Sequence, residues 1–198
     1  MGSYVYLIGS DSAKPLEAIK APIFVQSARY ELPLFWLCLF QSDDYSLTTE
    51  SDETEYENQY SFFSTSKDSA IANAINREPF ILDLLPAMWA PLWYEFLDFI
   101  KNSKSQFFHF NQTEHAQTCG SFEEWREKNQ KILVCLDSDP IVYKKVLIFK
   151  RKYLTLAWYE VLVASGISFP ALNDIMPWKL VGGEGDFVPS EKYLAMWG

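Results

Sequence analysis

The chain has 198 residues, 48% hydrophobic and 17% aromatic, with 17 lysine and arginine against 26 aspartate and glutamate, giving a formal net charge of -9. This length predicts one domain with a sizeable core, and the acidic balance disfavours nucleic-acid phosphate and anionic lipid as partners. The odd, widely spaced cysteines Cys38, Cys119 and Cys135 predict reduced thiols rather than a disulfide framework.

Tyr4 to Ile8, built of β-branched and aromatic residues, predicts a strand closed by Gly9-Ser10-Asp11. Met1 to Ser10 lacks the basic region of an export signal, and the longest apolar runs fall short of the roughly 20 residues that span a bilayer. A cytoplasmic chain without membrane attachment is therefore expected. Ile23 to Val25 reads as a short strand. The apolar run Leu34 to Phe40 fits a buried strand or a helical turn, and Pro33 ahead of it favours the turn. Gln41 to Gln59 is polar, with no apolar period, and reads as an exposed loop or frayed helix. Tyr60 to Ser64 returns as a strand.

From Ser66 the pattern becomes helical, with Ala70, Ile71, Ala74 and Ile75 at helix spacing and Pro79 limiting the run. Pro91 opens a second helix, with Trp93, Phe96, Leu97 and Ile100 on one stripe. Gln106 to Phe110 looks like a strand. Ser121 and Glu124 form a capping box ahead of a helix over Trp125 to Leu136. The longest predicted helix runs from Pro140 to Ser165, with Asp139 as N-cap and Gly166 as its stop, and it carries a basic stripe of Lys144, Lys145, Arg151 and Lys152. Beyond Ser168, prolines and the Gly182-Gly183-Glu184-Gly185 turn predict an irregular tail that wraps over the core.

The charge is unevenly placed. The 37 residues from Tyr30 to Ser66 hold eight acids and no lysine or arginine, and seven of those acids lie between Asp43 and Glu57. Such a field suits a cationic partner. It also fits a solvated loop, or one that docks on the chain's own basic stripe, where exposed pairs contribute about 0.2 to 1 kcal/mol each.

Motifs for chemistry are weak. His109, Glu114, His115 and Cys119 can all ligate zinc, but their spacing matches no zinc pattern, and His109 alternates with Phe108 and Phe110 as a strand residue would. The glycine turn at 182–185 lacks the lysine and Ser/Thr of a phosphate loop. Asp43 to Glu57 has no calcium-loop arrangement and no glycine.

Ser3-Tyr4-Val5-Tyr6-Leu7 and Tyr30-Glu31-Leu32-Pro33-Leu34-Phe35-Trp36-Leu37, in a small acidic, aromatic-rich chain, resemble immunity proteins of bacterial polymorphic-toxin systems. The resemblance implies a cytosolic, non-enzymatic protein that binds one cognate toxin and blocks its active site or substrate groove. An acidic surface imitating a phosphate backbone agrees with a basic, nuclease-like cleft.

These readings predict an α+β single domain over 1–198, with a small N-terminal sheet against several helices, a long C-terminal helix and an acidic loop at 41–59. The expected partner-binding residues are Asp43, Asp44, Tyr45, Glu50, Asp52, Glu53, Glu55, Tyr56 and Glu57. No catalytic, cofactor or metal residues are expected. The alternatives are an enzyme or small-molecule-binding protein whose aromatic pocket uses Glu95, Asp98 or His109, or an adaptor subunit exposing an aromatic patch.

Overall fold

A computed structural model of the chain describes residues 3–29, 32–51, 57–85, 87–118, 121–137 and 177–196. Among the described residues six strands form one antiparallel sheet: β1 (Tyr4–Ser10), β2 (Phe24–Arg29), β3 (Tyr45–Ser51), β4 (Glu57–Ser66), β5 (Phe107–Asn111) and β6 (Glu184–Gly185). Their order is β3-β4-β5-β1-β2-β6. The fold is an α+β single domain, and its sheet draws strands from far beyond the N-terminal region.

Register and side-chain alternation divide the sheet into two faces. Val5, Leu7, Phe24, Phe63, Phe108 and Phe110 occupy the main core face and are buried. Ile8 pairs with His109, which pairs with Ser64, and these share the opposite face with Phe62, Tyr6 and Glu50. Helix α1 (Pro15–Lys20) is tied to that opposite face, because Lys20 Nζ meets Glu50 Oε1 at 2.8 Å.

The core face is covered by α2 (Leu34–Leu37), α3 (Lys67–Leu84), α4 (Ala90–Asn102) and α6 (Phe122–Leu136), with α5 (Thr113–Thr118) at one end. In α4 the predicted stripe Trp93, Phe96, Leu97 and Ile100 is buried, and Trp93 meets Phe35 edge-on at 5.0 Å. Trp36 stands edge-on to Phe110 at 5.5 Å, and Phe24 to Phe99 at 4.9 Å. Each such pair contributes about 0.5 to 1.5 kcal/mol beyond its buried area.

Ser66 caps α3 by accepting from Ser69 N–H at 3.2 Å. Contrary to expectation, α3 continues through Pro79. Pro79 withholds its N–H from the Ile75 carbonyl, but both residues are exposed, so water can satisfy that carbonyl. Ser121 caps α6 as predicted, accepting from Glu124 N–H at 3.1 Å.

The described part of 41–59 is not a loop. A 3₁₀ turn at Ser42–Asp44 leads into β3, which pairs with β4 from Tyr45↔Phe63 to Ser51↔Glu57. The predicted helix Pro140–Ser165 and its basic stripe lie outside the described residues.

The C-terminal segment closes the other edge of the sheet. After α7 (Pro177–Val181), Gly183 N–H bonds the Ser27 carbonyl at 2.8 Å, and Asp186 bonds both backbone groups of Val25. Gly182, at φ +86, makes the turn that permits this approach. Helix α8 (Glu191–Leu194) follows, with Tyr193 stacked on Trp89 at 5.6 Å.

Candidate functional site

The β3–β4 hairpin at one edge of the sheet carries the acidic sequence and is the candidate site. Tyr45, Thr48 and Thr49 in β3 are aromatic and β-branched residues that suit a strand. Pairing holds the hairpin against β5, and Tyr45 anchors its start. The Tyr45 ring meets Phe63 edge-on at 5.3 Å, and its hydroxyl accepts from Ser61 Oγ at 3.1 Å and reaches the Phe122 carbonyl at 3.3 Å. Partial burial raises its phenol pKa.

The expected contact residues therefore separate into two groups. Asp44 is half-buried and accepts from Gln41 N–H at 2.7 Å, tying off the turn before β3. Desolvation pushes its carboxyl above the ordinary aspartate value, against hydrogen bonds from Gln41 and Thr65 that favour the charged form. Tyr45 is an anchor facing inward rather than an exposed aromatic contact. Glu50 is paired with Lys20. Asp43, in contrast, is exposed. Glu57 opens β4, while Asp52, Glu53, Glu55 and Tyr56 lie outside the described residues.

Behind the hairpin stands a buried cation that sequence reasoning missed. Arg77 is 2% exposed and donates to Asp137 through Nε at 2.7 Å and Nη2 at 2.9 Å. Its Nη1 donates to the carbonyls of Leu37, at 3.1 Å, Cys38, at 3.3 Å, and Phe40. Asn73, one turn earlier, donates to the Leu39 carbonyl at 3.0 Å and receives Gln41 Nε2 at 2.8 Å. Together they satisfy the carbonyls left open where the Leu34–Leu37 helix ends and the chain turns toward β3. A signal was present: Ala70, Asn73, Ala74, Arg77 and Ile81 follow the helical period of the buried face of α3.

The residues of the enzymatic alternative do not converge. Glu95 accepts from Ser190 N–H at 2.9 Å and Ser190 Oγ at 2.8 Å, beside the C-terminal segment, and Asp98 is exposed on α4. His109 lies on the opposite face of the sheet, fully buried. Its Nε2 is 2.9 Å from the Ser12 carbonyl, which can only accept, so Nε2 carries the proton and Nδ1 accepts from Ser64 Oγ at 2.9 Å. Burial lowers its pKa, opposed by the Ser12 hydrogen bond.

The other histidine is also engaged. His115 Nδ1 is 2.7 Å from Ser3 Oγ, and Glu114 accepts from Tyr4 N–H at 2.8 Å, so α5 fastens the start of β1. Cys119 lies outside the described residues. Among the described residues, no three or more His, Cys, Asp or Glu side chains are placed to hold a metal ion, and no helix is long and apolar enough to cross a membrane.

No family model, curated protein or solved structure matches the chain.

Proposed function

We propose that this chain is a non-enzymatic binding protein that neutralises a cationic protein partner through its acidic edge hairpin, in the manner of an immunity protein facing the basic cleft of a toxin. The observation that carries this reading is where the acidic sequence sits. The strands that flank it, β3 with Glu50 and β4 with Glu57, pair at the margin of the sheet, anchored by Tyr45 and bordered by the exposed Asp43. A concentrated negative surface of this kind speeds encounter with a basic partner and penalises an acidic one.

The test is affinity capture of a basic protein from native lysate by the tagged chain, beside a variant with Asp43, Asp52, Glu53, Glu55 and Glu57 changed to their amides. Asp44 and Glu50 stay unchanged, because their carboxylates have partners within the fold. The expected result is a single basic protein retained by the wild type, lost from the variant and weakened by added salt, with unchanged circular dichroism. Equal recovery by both baits rejects the acidic hairpin as the recognition surface.

A further inference from the structure

The two edges of the sheet are finished differently. Val25 and Ser27 turn their backbone groups outward from β2, and the C-terminal segment meets them with bonds from Gly183, Asp186 and the Asp186 carboxylate. At the other margin β3 has a strand neighbour on one side only among the described residues.

Which groups β3 leaves open follows from its neighbour. The backbone N–H of Ser61 bonds Thr113 Oγ1 at 3.0 Å and its carbonyl accepts from Gln112 N–H at 2.9 Å, so odd-numbered residues of β4 turn toward β5. Even-numbered residues of β4 then turn toward β3, and the bonded pairs are Ser46↔Phe62, Thr48↔Tyr60 and Glu50↔Asn58. Leu47 and Thr49 consequently aim their N–H and C=O groups away from the sheet. Both are exposed, Leu47 at 46%.

Edge strands are ordinarily guarded by lysine, proline, a bulge or a covering segment. Tyr45–Ser51 has no lysine, arginine, proline or glycine, and its seven register pairs with β4 run without a bulge.

Building on the proposed binding role, we infer that β3 receives an extended segment of the cationic partner as a seventh strand. Residues opposite Leu47 and Thr49 bond their outward backbone groups, and an apolar side chain there covers Leu47. Alternate residues fall on the face of Ser46, Thr48 and Glu50, where lysine or arginine joins Lys20 at the Glu50 carboxylate, a pair that is itself exposed. The recognised pattern is a short strand alternating apolar and basic residues. Charge argues against a second copy of this chain as the occupant: residues 30–66 carry eight acids and no lysine or arginine, so copies paired through β3 would set like charges together.

The probe is a nine-residue peptide alternating lysine and valine, compared with a glutamate–valine peptide and with the lysine–valine peptide N-methylated at every valine. The expected result is slowed amide exchange at Leu47 and Thr49, on the order of tenfold weaker binding after N-methylation, and no binding of the glutamate peptide. Thr49→Pro removes an outward N–H without removing a bond to β4, and is expected to weaken binding similarly. N-methylation gives the same readout without altering the protein.

Equal binding of the methylated peptide, with no protection at Leu47 and Thr49, overturns strand addition while leaving the acidic-surface reading intact. Binding unchanged in the amide variant and in that variant with Glu50→Gln added, with protection at both residues, removes the electrostatic reading instead and with it the cationic partner inferred here. Failure of the lysine–valine peptide to bind, or a dimer that Thr49→Pro dissolves, also overturns the inference.

Discussion

Arg77 and Asp137 join α3 to the end of α6 through two parallel hydrogen bonds, with the guanidinium 2% exposed and the carboxylate 55% exposed. This asymmetry sets the consequence of losing either partner. Asp137→Asn weakens a half-solvated pair and is expected to cost about 1 kcal/mol. Arg77→Met removes the donor to three backbone carbonyls and is expected to cost about 3 kcal/mol or more, since buried acceptors lose their partner. Urea unfolding of both variants checks the ratio; equal losses would show that the ion pair, rather than the carbonyl contacts, carries the stability.

His109 predicts a pH dependence. Burial holds its folded-state pKa below the unfolded value of about 6.5, so the folded state binds the proton less readily. The stabilisation is present above about pH 6.5 and declines as pH falls toward the folded-state value. Wild type is expected to lose more stability than His109→Gln between pH 7.5 and 5.5, measured by urea midpoints at each pH. Parallel profiles would sink the assignment.

Gly182→Ala tests the latch of the C-terminal segment. The residue sits at φ +86, and an added Cβ meets the Trp36 ring and lies 2.9 Å from the Ser27 carbonyl. A backbone cost of about 1 to 3 kcal/mol is expected, with the contact adding to it. Limited proteolysis is expected to cut the variant near residues 183–187 before the wild type.

Cys38 is fully buried beside the Leu34 carbonyl, and burial pushes its thiol up to about 12. At pH 8 it is expected to resist alkylation in the folded protein and react on unfolding, read by mass spectrometry of the peptide that contains it. Labelling of native Cys38 at the rate of a free thiol contradicts this packing.

Elements with a strong period or a clear cap were legible in the sequence. β1, β5 and the α4 stripe follow it, α3 begins after Ser66 where the helical pattern starts, and Ser121 caps α6 as its spacing to Glu124 indicates. β3 was missed because an edge strand need not alternate apolar and polar residues. Ser46, Thr48 and Glu50 occupy one face, while Leu47 and Thr49 on the other are exposed. Pro79 misled for a related reason: helix termination depends on whether the released carbonyl can find water, which the one-dimensional pattern does not show. Asp44 and Tyr45 were grouped with the outward acids because charge density reports neighbours in sequence, whereas their contacts lie with Gln41, Thr65, Ser61 and Phe122.

The C-terminal closure of β2 has a consequence for synthesis. Val25 and Asp186 are 161 residues apart, so the strand is made long before the segment that seals it. At about 5 to 20 residues per second the interval is roughly 8 to 30 s. During that interval the nascent chain must keep β2 from pairing with other unfinished chains, a hazard that ends only when residue 186 has cleared the ribosome.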